Sequence, residues 1–300
     1  MRTNSILAAA ALFSLAAGGV FAQIPPAPFK AREGVGGTTP LPVTRVQTAP
    51  DAAGPTWKPT AYDAMGPLKV VRESGGAACT IFRPSTIPDR TPVILWGNGT
   101  SQMPDTYGPI LKTLASNGFV VAAANTFNAG SGADMLGCLD WLTQQNAEAG
   151  GPYSGKLDLT KVGATGHSQG GGGALMAGRD PRVKTTAPIM PATQSPRYAG
   201  VRFDEHGPIL LLSGGADNVA GPITQQKPVF DSAVQPVFWA TLANAGHLVP
   251  MHAGGVFPGI VTAWFRYQLM GDQKAAQMFT GDTCGYCVAV DWTVRRKGAL

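Results

Sequence analysis

Charge is scarce in this chain, and histidine and cysteine are scarcer still. Asp, Glu, Lys and Arg make up 14% of its 300 residues, alongside four histidines and four cysteines. The formal excess of +5 is scattered, with one basic run at Arg295-Arg296-Lys297 near the C-terminus. A nucleic-acid reader needs a basic face with interleaved aromatics, which is missing, so no nucleic-acid partner is expected. Such a charge supports no more than a weak attraction to anionic surfaces or polymers. The histidines do not fall at ligand spacing with cysteines or carboxylates, which argues against a metal centre, and no cofactor is expected. The run Gly170–Gly173 lacks the Lys-Ser/Thr pair that completes a phosphate loop. Beyond the N-terminus no stretch approaches the ~20 apolar residues of a membrane span, and there are no internal repeats. Glycine (39) and proline (25) are plentiful. That composition favours tight turns and close backbone approaches over long surface helices.

The N-terminus reads as an export signal. Met1-Arg2 is a short basic start, Ile6 to Val20 is almost unbroken apolar sequence, and Val20-Phe21-Ala22 places small residues at −3 and −1 of a cleavage site. A membrane anchor is the alternative, but the run is too short to span, and no Cys follows it to carry a lipid. Cleavage after Ala22 is expected to release a soluble, monomeric protein to the periplasm or the medium. It removes a single charge, that of Arg2. In such a compartment four cysteines favour two disulfides, with three connectivities open. The pairing Cys79–Cys138 with Cys284–Cys287 is favoured, because the second pair is so close along the chain. A redox reading of Cys284-Gly285-Tyr286-Cys287 would want the first Cys at a helix N-terminus, whereas this pair lies in the tail after the last expected helix.

Residues 23–60 are rich in Pro, Thr, Ala and Gly without periodicity, and are expected to be an extended or disordered leader. From 61 to 300 the pattern is that of one α/β domain. Leu68–Glu73 and Cys79–Arg83 read as strands joined by a tight turn. Further strands are expected at Val93–Trp96, Phe119–Ala124, Val162–Thr165, Thr186–Met190, Ile209–Ser213 and Val237–Leu242. Helices are expected at Ile110–Ser116, at 132–146, at Gln169–Ala177 and finally over 256–269. The alternation predicts a mainly parallel central sheet with helices on both faces and an antiparallel start.

Gly166-His167-Ser168-Gln169-Gly170 follows one of these strands and opens a helix. Gly-x-Ser-x-Gly in that context is a nucleophile elbow. The Ser sits on a strained turn where a Cβ at either flanking position would strike backbone. A Ser hydroxyl needs a base. His167 is inside the elbow, where its side chain is expected to point away from Ser168. His206 precedes a strand, at the wrong edge of the sheet. His247 follows the strand 237–242, at the edge where Ser168 also sits. It is favoured, with His252 the rival. Asp217, just past the strand 209–213, completes the order Ser, Asp, His of α/β-hydrolases, with Asp204 and Asp231 in reserve. The oxyanion donors are expected to be the backbone N–H of Gln169 and that of Thr100, or else Gly99, in the loop Gly97-Asn98-Gly99-Thr100. These residues predict an ester hydrolase acting through an acyl-enzyme. The alternatives are an amidase or peptidase with the same triad, or a non-catalytic binding protein on the same fold.

From about residue 60 onward the chain resembles the cutinase-like polyester hydrolases and chlorophyllase-like bacterial serine esterases of the α/β-hydrolase superfamily. The matching segments are Leu114–Val121, Gly166–Gly173, Gly214-Gly215-Ala216-Asp217 and Gly246-His247, in family order and roughly family spacing. The paired C-terminal cysteines ahead of Asp291-Trp292 resemble the disulfide-tied tail of these enzymes. The resemblance implies the triad Ser168, Asp217 and His247, an oxyanion N–H at Thr100, and an ester substrate, small or polymeric. Two family aromatics are absent: the position of Thr100 usually holds one, and 187–193 lacks the family Trp. Met190, Thr100, His167 and Phe127 are the expected cleft lining.

Overall fold

The computed structural model describes residues 62–195, 198 and 203–300, together with the backbone of 43–45. The expected signal peptide and most of the expected leader lie outside the described residues. A hairpin of β2 (Val70–Gly75) and β3 (Cys79–Pro84) pairs antiparallel. Then β4 (Thr91–Gly97), α1 (Gly108–Ser116), β5 (Val120–Ala124), α2 (Ala133–Ala147), β6 (Leu157–His167) and α3 (Gln169–Ala177) alternate. They are followed by β7 (Val183–Ile189), β8 (Ile209–Gly214), α4 (Lys227–Ser232), β9 (Val237–Leu242) and α5 (Phe257–Met270). Strand burial explains the layering. In β4, Ile94 and Trp96 pack with Ile110, Leu114, Trp264 and Phe265 of α1 and α5. The alternate residues Val93 and Leu95 pack with Met135, Leu139 and Ala174 of α2 and α3. Successive side chains of a strand point to opposite faces, and an apolar run buried on both faces needs helices on both.

Among the described residues the strands form one ten-stranded sheet. Its centre, in the order β9-β8-β7-β6-β4-β5, is parallel throughout. This is the α/β-hydrolase fold. The chain lays β5 on one side of β4 and then returns to place β6 on the other. The strand order therefore reverses between β4 and β6, and ligands of open α/β sheets bind beyond the carboxyl ends of such a pair. The loop Gly97–Thr100 and Ser168 leave the sheet at those two ends.

The far edge departs from expectation. The helix α5 is followed by a short α6 (Gln273–Ala276) and by β10 (Trp292–Lys297), which pairs antiparallel with β9. Beyond it Val43–Arg45, inside the expected leader, forms β1 against β10. The basic run near the C-terminus thus lies in a strand. Arg295 lies over the rings of Phe230 and Trp239, 5.1 Å from each centroid. Lys297 is buried, its Nζ donating to the carbonyls of Phe230, Asp231 and Ala233 at the end of α4. The disulfides are Cys79–Cys138, which ties β3 to α2, and Cys284–Cys287. No described helix is long and apolar enough to cross a membrane.

Candidate active site

Ser168 sits between the last residue of β6 and the first of α3, at φ 56° and ψ −118°. A non-glycine residue there is strained, and the surrounding packing has to hold it. A Cβ on Gly166 would lie 2.5 Å from the carbonyl oxygens of Gly170 and Gly97, and one on Gly170 would lie 2.1 Å from Gly97 O. The elbow is therefore pressed against the end of β4, and only glycine fits at both positions. The backbone of Ser168 is tied on both sides: its N–H donates to Ile189 O at 3.0 Å and its carbonyl accepts from Ala192 N–H at 2.9 Å.

Ser168 Oγ lies 2.9 Å from His247 Nε2, and His247 Nδ1 lies 2.7 Å from Asp217 Oδ2. The carboxylate can only accept, so Nδ1 carries the proton and Nε2 presents a lone pair to the Ser168 hydroxyl. The Asp217 side chain is fully buried, and its other oxygen accepts the N–H groups of Val219 and Ala220, each at 2.8 Å. Three side chains from three separate loops thus form one hydrogen-bonded chain. The rivals lie elsewhere. His252 is exposed, Asp204 is bonded to Arg179 at 3.0 Å, Asp231 pairs with Lys227, and His206 bonds Arg179 O.

The N–H of Gln169 opens α3, and that of Thr100 follows Gly99, whose built Cβ would lie 3.6 Å from Ser168 Cβ. Among the described residues neither N–H is taken by a backbone acceptor. Asn98 shapes this loop from below, donating to Ala124 O and accepting from Trp96 Nε1.

The residues expected to line the cleft divide. Thr100 is exposed, and Phe127, whose carbonyl accepts Ser101 N–H, is 60% exposed. Met190 is fully buried at φ 44°, with its methyl against Gly214 beneath the loop of Asp217. His167 is buried too, its ring tilted against that of His247 at 4.7 Å. Its Nδ1 lies 2.9 Å from Tyr107 Oη and its Nε2 2.8 Å from the carbonyl of His247. Burial, with His247 close by, lowers its pKa to about 3, so the ring is neutral. Two contributors escaped the sequence reading. Tyr107 precedes α1 with no local motif. Gln226 ends a π-helical turn (Pro222–Gln226), and its amide bridges Pro191 O and Ala220 O. The turn-forming Pro222 was the only signal near it. A groove of about 380 Å³ at the opposite edge of the sheet, beside Arg90, Lys161 and Arg266, contains none of Ser168, Asp217 and His247.

The model of the PETase family, described as PET hydrolase-like, matches residues 46–290. A bis(hydroxyethyl) terephthalate hydrolase from Streptomyces coelicolor is 24% identical over 258 residues, covering 80% of each chain. Cutinase 2 from Thermobifida cellulosilytica and cutinase cut1 from Thermobifida fusca are each 25% identical over 174 residues. Those matches span 55% of this chain, and 64% and 52% of the two cutinases respectively. With the family match running from just after β1 past the C-terminal disulfide, the chain belongs to the PET hydrolase-like family and is a cutinase-like carboxylic-ester hydrolase.

Proposed function

We propose that the chain is a secreted serine esterase that cleaves esters of apolar acids, small or polymeric, through a Ser168–His247–Asp217 triad. One observation carries the reading: the unbroken hydrogen-bond chain from Asp217 through His247 to Ser168. His247 Nε2 takes the hydroxyl proton as Ser168 Oγ attacks the ester carbonyl. Asp217 remains ionised and stabilises the imidazolium. The oxyanion accepts from the N–H groups of Gln169 and Thr100, with the positive end of α3 behind the first. As the tetrahedral species collapses, His247 hands its proton to the departing alcohol. Water then attacks the acyl-enzyme by the same route.

The apolar preference rests on the rim. Phe127, Val219, Ile223 and Leu248 are each at least 60% exposed. They stand on the loop after β5, after Asp217, in the turn Pro222–Gln226 and after His247 respectively. Exposed apolar side chains on the loops that carry the site fit an apolar acyl chain or polymer face. Export is supported by the segment 1–22 and by the two disulfides.

The test is hydrolysis of p-nitrophenyl esters from acetate to palmitate, of bis(hydroxyethyl) terephthalate and of a matched anilide, by the mature protein and by Ser168→Ala. Ester turnover lost in the variant is expected, with the anilide far slower. Equal turnover by both proteins would remove Ser168 from the mechanism, and faster anilide cleavage would make the enzyme an amidase.

A further inference from the structure

His167 lies next to the nucleophile, yet it is only 2% exposed and directs both ring nitrogens away from the cleft. Its partners define its tautomer. A backbone carbonyl only accepts, so the ring nitrogen facing His247 O, Nε2, carries the proton. The neutral ring then has a bare Nδ1, to which the Tyr107 hydroxyl must donate. That hydroxyl oxygen in turn accepts the N–H of Gly99 at 3.1 Å. The result is one directed path: Gly99 N–H to Tyr107 O–H to His167 Nδ1, then His167 Nε2–H to the carbonyl of His247. Every group on it is buried. Its ends are the loop carrying the Thr100 oxyanion donor and the loop carrying the base, and its middle is the residue before Ser168. Space enforces the path as well. A Cβ on Gly99 would come within 2.7 Å of Tyr107 Oη and 3.2 Å of His167 Nδ1.

We propose that Tyr107 and His167 are positioning residues that lock the oxyanion loop, the elbow and the His247 loop into one geometry. The proposal rests on the triad reading above and deepens it. Tyr107 acts through His167. Without its hydroxyl, His167 Nδ1 loses its donor and Gly99 N–H its acceptor, so the ring and the oxyanion loop lose their mutual anchor. The His247 carbonyl still holds Nε2–H, but on a ring that is no longer fixed from its other side. The base then shifts relative to Ser168 Oγ, and a displacement of an ångström in a reacting geometry costs on the order of 100-fold in rate. Substrate binding at the rim is untouched, so the loss belongs to kcat.

Tyr107→Phe is nearly isosteric, and its folding is checked by far-UV circular dichroism and a cooperative melt. Its kcat for p-nitrophenyl butyrate is expected to fall about 10- to 100-fold while KM stays nearly unchanged. His167→Phe is expected to lose at least as much. The double variant should lose less than the product of the two single losses, because both residues act through the same Tyr107–His167 hydrogen bond. With 15N-histidine labelling, the signal that His167→Phe removes should show an Nε2–H tautomer in the wild type and in Tyr107→Phe, with its Nδ1 resonance shifted in the variant as the hydrogen bond from Tyr107 is lost. An unchanged kcat or an unshifted Nδ1 resonance in Tyr107→Phe overturns the proposal. So do losses that multiply in the double variant. Ser168→Ala with full activity would instead sink the triad reading, and the Nδ1 resonance would still decide whether the bridge exists.

Discussion

Two residues in the site show how burial sets chemistry. Asp217 is fully buried beside His247, with one oxygen on the ring and the other on two backbone N–H groups. Asp217→Asn keeps the shape but puts an amide where a carboxylate must accept, and so favours the wrong tautomer of His247. Its kcat is expected to drop about 10⁴-fold with the fold intact, read from initial rates beside a thermal melt. His167 makes a different prediction, about stability. Unfolded, it takes up a proton below pH 6.5, the ordinary value. Folded, burial withholds that proton until about pH 3. The unfolded state therefore binds more protons across this window, and stability falls as pH drops through it, by up to roughly 1.4 kcal/mol per pH unit. His167→Phe is less stable at neutral pH because it orphans the Tyr107 hydroxyl and the His247 carbonyl. Its stability should nevertheless decline less steeply between pH 6.5 and 3 in urea titrations. Parallel curves for the two proteins would contradict the neutral, buried ring.

At the level of elements, β10 joins the catalytic sheet to α4. Lys297 Nζ lies 2.7 Å from Ala233 O, 2.9 Å from Asp231 O and 3.3 Å from Phe230 O. The last carbonyls of a helix have no partner within it and carry the negative end of its dipole, and this buried ammonium supplies both donor and charge. Lys297→Met fills the same space but leaves the three carbonyls without that donor, and is expected to cost about 2–3 kcal/mol in urea denaturation. Arg296 makes the contrast. It bonds to Gly281 O and to the exposed Asp282, and a surface pair of this kind is worth up to ~1 kcal/mol. In the sequence, Arg295-Arg296-Lys297 is three like charges. Their distinct surroundings arise because a strand turns successive side chains to opposite faces.

Across the whole molecule the two disulfides do unequal work. Cys79 and Cys138 are 59 residues apart, whereas Cys284 and Cys287 are separated by three. In the chain-entropy account the longer loop contributes about 4 kcal/mol and the short one about 2 kcal/mol. Replacing the first pair with alanines should therefore lower the unfolding midpoint by more than replacing the second, measured by guanidinium titration. The reverse order would mean that the short bridge acts mainly through its packing. Cys284, Tyr286 and Cys287 do lie in the same apolar cluster as Trp292 of β10 and Trp264 of α5.

The elbow was legible because its constraints are local: within five residues the turn demands glycine at 166 and 170 and places a Ser between them. Asp217 and His247 could be read from chain order, since each follows a strand that the parallel pattern aims at one edge. The central strands were legible for the same reason, as short apolar runs with turns at both ends. Tyr107, Gln226 and Lys297 carried no such signal. Their most distant partners lie 60 residues from Tyr107, 35 from Gln226 and 67 from Lys297 along the chain. A lone Tyr, Gln or Lys has the same local propensities whether it is buried or exposed. The strands at 43–45 and 292–297 were hidden likewise, because a short strand with polar residues declares itself only once a neighbour pairs with it. Local sterics and hydrophobic periodicity therefore sufficed for the elbow and the parallel core. The contacts that bring His247, Asp217 and their supports to Ser168 emerge only when distant segments pack and their buried polar groups must find partners.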